Sequence, residues 1–158
     1  MRHNIWIFIA IFLTASVLRF WQLGSIPVSM SDDETRLVYN AYSIWNTAKD
    51  INSHLLPLAF PVDGYAFNPV PIYITSPFVG LFGLSMFVSR FPFAMAGTAT
   101  VILLYAIVYV LLKNHAIAIF SSLALSFSAW HLQISRFAYE GGFALFFFTL
   151  GVFMFLLI

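Results

Sequence analysis

At 158 residues, 61% hydrophobic, 19% aromatic and 8% charged, the chain lies far outside the balance of a soluble globular domain and reads as an integral membrane protein. A net charge of +1 with no basic run excludes nucleic acid as a partner. The absence of cysteine excludes disulfides, thiolate metal sites and a cysteine nucleophile, and leaves the redox compartment undecided.

Ile5 to Leu23 is an apolar run of about bilayer length, with Trp6 and Trp21 near its ends where aromatic belts form. A secretory signal is cleaved after small residues. Bulky Arg19-Phe20-Trp21 stands here instead, so the run reads as a retained anchor, the first transmembrane helix. Gly24-Ser25-Ile26-Pro27 breaks the pattern. Ser31 followed three residues later by Glu34 is then a capping-box signature opening a second helix. Leu37, Ala41, Ile44, Trp45 and Ala48 recur along it at helical spacing, which predicts a helix lying on the membrane surface. Asp32, Asp33 and Glu34 open this helix and make up half of the six acidic residues, so any chemistry is sought here first.

From Asp50 to Asn68 the chain is turn-rich, with His54, Pro57, Pro61 and Asp63-Gly64, and reads as an irregular surface loop. Ala66 to Ser89 is uncharged and long enough to span. Pro69, Pro71, Pro77, Gly80 and Gly83 interrupt it, which makes a re-entrant or surface-lying segment the competitor. Three further spans are predicted at Phe93 to Leu112, Ala116 to Leu132 and Phe143 to Ile158, the last without a polar flank, as in the N-terminal piece of a longer polytopic protein. The Lys/Arg distribution leans slightly towards a crossing 66–89 segment. A non-crossing one places all six acidic residues on one side with Arg90 and Arg136, within an external loop of about 24–92 and the later polar patch.

Several motifs in order carry a resemblance. Phe20-Trp21-Gln22-Leu23-Gly24-Ser25-Ile26-Pro27, Asp33-Glu34, Tyr39-Asn40-Ala41-Tyr42-Ser43-Ile44, Asn68-Pro69-Val70-Pro71-Ile72-Tyr73, Leu81-Phe82-Gly83-Leu84-Ser85, Arg90-Phe91-Pro92 and Ser128-Ala129-Trp130-His131-Leu132-Gln133-Ile134-Ser135-Arg136 with Glu140 resemble membrane glycosyltransferases of the GT-C class. The likeness is to the dolichyl-phosphate-mannose protein mannosyltransferases and bacterial relatives that use polyprenyl-phosphate sugars. It covers nearly the whole chain, with departures at Ala129, where the family reads Pro, and at Val70, which splits a double Pro. It implies an all-α polytopic fold with external interfacial helices, an external 66–89 segment, and a catalytic Asp followed by Glu at Asp33 and Glu34. It also implies inversion by a single displacement, with further helices beyond Ile158.

A transferase with a lipid-phosphate donor needs a base at the acceptor nucleophile and cations near the departing phosphate. Asp33 is the candidate base. Arg90 and Arg136 are candidate phosphate partners, because guanidinium matches phosphate oxygens in a fork. Each has a bland alternative: the acids suit a helix N-terminus, and the arginines could snorkel to the interface. Glu140 is a candidate substrate residue, although a salt bridge to Arg136 four residues earlier would also account for it. Tyr65, Asn68 and Tyr73 are candidates to line a sugar site, with membrane anchoring as the alternative.

No cofactor is indicated. A divalent metal would rest on convergence of Asp33 and Glu140 alone, since His54 and His131 stand isolated. The expected partners are a polyprenyl-phosphate-linked sugar, membrane lipid and an acceptor of unspecified kind. The membrane is the plasma or inner membrane in a prokaryote and the endoplasmic reticulum in a eukaryote. The rival reading is a transporter or flippase subunit whose path these charges line, and a third is a noncatalytic assembly subunit. Glu34→Gln is expected to be milder than Asp33→Asn, because Gln still serves in a capping box.

Overall fold

The structure, a computed structural model, describes residues 2–62 and 65–158. Seven helices carry it: α1 (Arg2–Phe20), α2 (Asp32–Thr47), α3 (Pro69–Phe82), α4 (Met86–Leu112), α5 (His115–Phe127), α6 (Ala129–Arg136) and α7 (Glu140–Phe155). Among the described residues one helix, α4, is long and apolar enough to cross a membrane. The α5–α6 pair, bent by 61°, passes the same test as a broken span, while the apolar stretches 6–20, 69–82 and 140–155 are shorter.

The capping box at α2 forms as its sequence predicts. Ser31 Oγ accepts the Glu34 N–H at 3.2 Å, and the Glu34 carboxylate accepts the Ser31 N–H at 3.2 Å. The helix does not lie alone on a surface: Leu37, Val38, Ala41 and Ile44 are buried in one core with Ile72 and Val79 of α3. Gly80 makes that contact possible, because a Cβ there would stand 2.1 Å from Trp45 Cγ. The loop between α2 and α3 holds a two-stranded antiparallel hairpin, β1 (Phe60–Val62) and β2 (Tyr65–Phe67), where an irregular loop was expected. Phe60 and Phe67 pair across it and are both buried in the same core.

Two boundaries differ from the sequence expectation for physical reasons. The span expected from Phe93 begins at Met86, because Ser85 Oγ caps the Val88 N–H at 3.2 Å, and Pro92 costs an early turn a single hydrogen bond. The span expected over Ala116 to Leu132 breaks at Ser128, which ends α5 and caps α6 by accepting the His131 N–H at 3.4 Å. Close approach of α4 to α6 depends on Gly97, where a Cβ would stand 2.3 Å from Ser135 Oγ.

Aromatic packing fixes which ends meet. Phe91 near the start of α4 packs against Phe20 at the end of α1 and Phe78 of α3, with ring centroids 5.4 and 5.7 Å away. Phe93 of α4 meets Phe143 of α7 at 4.7 Å. At the far end of α4, Tyr109 stacks on His115 at 4.2 Å, and Lys113 closes the turn in the left-handed region with φ 50°.

Candidate active site

The capping box turns Glu34 inward, where it is almost wholly buried. Burial of a carboxylate requires compensation. Arg90 supplies it bidentately, Nε to Oε1 at 2.9 Å and Nη2 to Oε2 at 3.0 Å, while the Ala138 N–H donates to Oε1 at 2.8 Å. The rest of the Arg90 guanidinium serves the turn after α1: Nη1 donates to Leu23 O and Pro27 O, and Nη2 to Ser29 O. Its five N–H groups thus all have partners within the chain. The Arg90 group, expected from sequence at the donor phosphate, holds α4 to α2 and to the α1–α2 turn.

Arg136 is similarly engaged. Nη1 donates to Leu18 O at 2.8 Å and Arg19 O at 3.2 Å, and Nη2 donates to Trp21 O and Ile26 O at 2.8 and 2.9 Å. It therefore satisfies the carbonyls that the end of α1 leaves open. The alternative of a salt bridge from Arg136 to Glu140 does not form. Glu140 accepts the backbone and side-chain N–H groups of Asn68 instead, bringing the two predicted substrate residues together. The Tyr65 side chain lies outside the described residues, and Tyr73 donates its hydroxyl to Pro57 O at 3.0 Å.

Asp33, one residue before Glu34, is half-buried, and its carboxylate has no hydrogen bond or ion pair among the described residues. Two cavities open at this end of the bundle. One of about 430 Å³ is lined by Asn68, Tyr139 and Glu140 and walled by Phe143, Ala144 and Phe147. The other, of about 340 Å³, is lined by Ser31, Glu34, Trp130, Gln133, Ile134, Phe137 and Tyr139. Tyr139 borders both.

Asp33 and Glu140 share no metal-holding cluster: among the described residues there is no group of three or more His, Asp or Glu side chains that could hold an ion. Sequence reasoning missed Arg19. It is fully buried and donates from Nη2 to His131 Nδ1 at 2.7 Å, so His131, isolated in the sequence, is an interior hydrogen-bond acceptor between α6 and α1. An arginine ending an apolar run beside Trp21 carried no sign of which histidine it would meet.

The helical bundle has a helix long and apolar enough to cross a membrane, and Glu34 and Glu140 line neighbouring cavities that share Tyr139, charged groups of the kind a membrane protein retains for function. The family model described as dolichyl-phosphate-mannose-protein mannosyltransferase matches residues 9–158, and the chain belongs to that family. It is thereby a member of a membrane-embedded glycosyltransferase family whose described sugar donor is linked to dolichyl phosphate. Neither a curated protein sequence nor a solved structure matches the chain.

Proposed function

We propose that the chain forms the acid-bearing end of a multi-pass glycosyltransferase that moves a sugar from a polyprenyl-phosphate carrier to an acceptor at the external membrane face, with Asp33 as base. The observation that carries this reading is the difference between neighbours. Glu34 has both oxygens held by Arg90, Ser31 and Ala138, whereas Asp33 has no partner among the described residues and can accept a proton.

In the reaction the acceptor hydroxyl attacks the anomeric carbon and passes its proton to Asp33. The bond from that carbon to the phosphate oxygen breaks, and its electron pair leaves with the phosphate, which needs no proton to depart. Glu34, Arg90 and Arg136 act in this scheme by fixing the first turn of α2 against α4 and the end of α1. Glu140 and Asn68 face the acceptor or sugar hydroxyls with carboxylate and amide.

An external, non-crossing α3 is part of the proposal. It is supported by contacts at both ends of α3 with the same end of the bundle, Asn68 with Glu140 and Phe78 with Phe91. Cysteines placed at exposed Ser53 and Leu84 in this cysteine-free chain should both react with an impermeant thiol reagent from outside, and one at Asn114 should not. Labelling of only one of the first pair removes the non-crossing arrangement.

The direct test of the reading is Asp33→Asn in the intact protein supplied with a lipid-linked donor. Loss of about 10² to 10⁴-fold in turnover, with unchanged thermal stability, is expected. Near-normal turnover would remove Asp33 as the base.

A further inference from the structure

The reaction proposed above makes no use of the cavity between the first turn of α2 and α6, whose lining has a chemistry of its own. Trp130 and Tyr139 stand there 62% and 50% exposed, and Phe137 forms a third aromatic wall. The same cavity is lined by Ser31, the N-cap of α2, and by Gln133 of α6. Ser31 Oγ already accepts the Glu34 N–H, leaving its hydroxyl hydrogen to donate. The Gln133 amide, the Trp130 indole N–H and the Tyr139 hydroxyl have no partner among the described residues. Gly141 leaves room for the Tyr139 ring, since a Cβ there would stand 3.2 Å from its Cε1.

This lining discriminates among ligands. The one carboxylate at the wall, Glu34, is neutralised by Arg90, and the Arg90 guanidinium has no N–H left, so the cavity offers nothing to a phosphate. Nor is it a continuous apolar slot for an acyl chain, because a carboxamide and a hydroxyl interrupt it. A sugar ring matches both features. Its faces of C–H groups lie well on aromatic rings, and its rim of hydroxyls, each both donor and acceptor, suits a carboxamide and two hydroxyls. The volume of about 340 Å³ is in the range of small-ligand sites.

We propose that this cavity is a pyranose-binding subsite, with Trp130 and Tyr139 as stacking platforms and Gln133 and Ser31 as the hydrogen-bonding pair. The ring is either the sugar of the lipid-linked donor or that of a glycan acceptor. The inference rests on the glycosyltransferase reading for its ligand class, but binding alone tests it.

The intact protein in lipid nanodiscs is titrated with dolichyl phosphate mannose, dolichyl phosphate and methyl α-mannopyranoside, as wild type and as Trp130→Ala and Gln133→Ala. Both side chains are exposed, so both variants should keep the wild-type unfolding temperature. If the donor sugar occupies the cavity, each variant binds the mannosylated lipid about tenfold more weakly while dolichyl phosphate is unaffected. If a glycan acceptor occupies it, the loss falls on methyl α-mannopyranoside and both lipids bind as before. Unchanged binding of all three probes overturns the proposal. Equal weakening of the two lipids overturns it as well, since the cavity would then be reading the lipid and not the sugar. Either of these results leaves Asp33 untouched as a base, whereas normal turnover in Asp33→Asn sinks the catalytic reading without altering the binding result.

Discussion

The region beneath the first turn of α2 and the rim beside it hold the same kinds of residue in opposite conditions. Beneath, Glu34 and Arg90 are buried and fully matched, and Arg136 is given over to the carbonyls at the end of α1. At the rim, Asp33, Gln133 and Tyr139 have no partners among the described residues. An apolar bundle tolerates a charge only where it is compensated, so internal charges report on assembly. Groups left uncompensated stand where water or substrate reaches them, and these report on function.

The comparison breaks most sharply at the ion pair. Arg90→Met strands the Glu34 carboxylate, and Glu34→Gln strands the guanidinium, so each should cost about 3–5 kcal/mol, read as a lowered unfolding temperature in detergent. The bidentate contact thus adds to Glu34→Gln a stability cost that the capping box alone does not carry, separate from its effect on turnover relative to Asp33→Asn. Joint replacement by Leu and Met should recover part of the loss, and wild-type stability in Arg90→Met alone would show that the pair contributes nothing.

A smaller effect is expected where no charge is involved. Gly80→Ala drives a methyl into the Trp45 ring and should cost about 1–3 kcal/mol by the same assay, partly recovered by adding Trp45→Ala. At the rim, Glu140→Gln weakens only the bonds to Asn68, worth about 0.5–1.5 kcal/mol, and should act mainly on the KM for a substrate. A collapse of stability there would place Glu140 with the matched interior.

The smallest effect belongs to a third carboxylate, in the loop after α2. Burial alone would push the Asp50 carboxyl up, but hydrogen bonds from the His54 ring and the N–H groups of His54 and Asn52 hold it below the usual carboxylate range. A lowered folded value means that its stabilisation is present above the unfolded value of about 3.9 and is lost as pH falls through the folded one. Protection from hydrogen exchange at Asn52 and His54, taken relative to the intrinsic rate at each pH, should therefore fall only below about pH 4, and Asp50→Asn should remove that dependence.

What could be read from the sequence was local. Ser31 and Glu34 announced a capping box because its partners are three residues apart, and the apolar spacing from Leu37 to Ile44 marked the apolar face of α2 but assigned it to the membrane surface, whereas it is buried with Ile72 and Val79 of α3. The hairpin was not legible as one, because Pro57 and Pro61 give the stretch the composition of an irregular loop. The pairing of Glu34 with Arg90 spans 56 positions, and no periodicity encodes it. The same holds for Arg19 with His131, 112 positions apart. For the candidate site, the sequence pointed to the residues, and only packing separated those that hold the fold from those left open.

The Arg136 contacts have a consequence for biosynthesis. The first helix is synthesised early, but the carbonyls at its end and in the following turn, from Leu18 to Ile26, receive their donor from a residue at least 110 positions later. At ribosomal rates of about 5–20 residues per second, that end waits on the order of ten seconds for its cap. During this interval the turn carrying Trp21 and Ile26 is held by nothing from α6. Nascent chains arrested between Arg90 and Arg136 should show cleavage around Trp21 faster than chains released after Arg136, with only the Arg90 contacts in place.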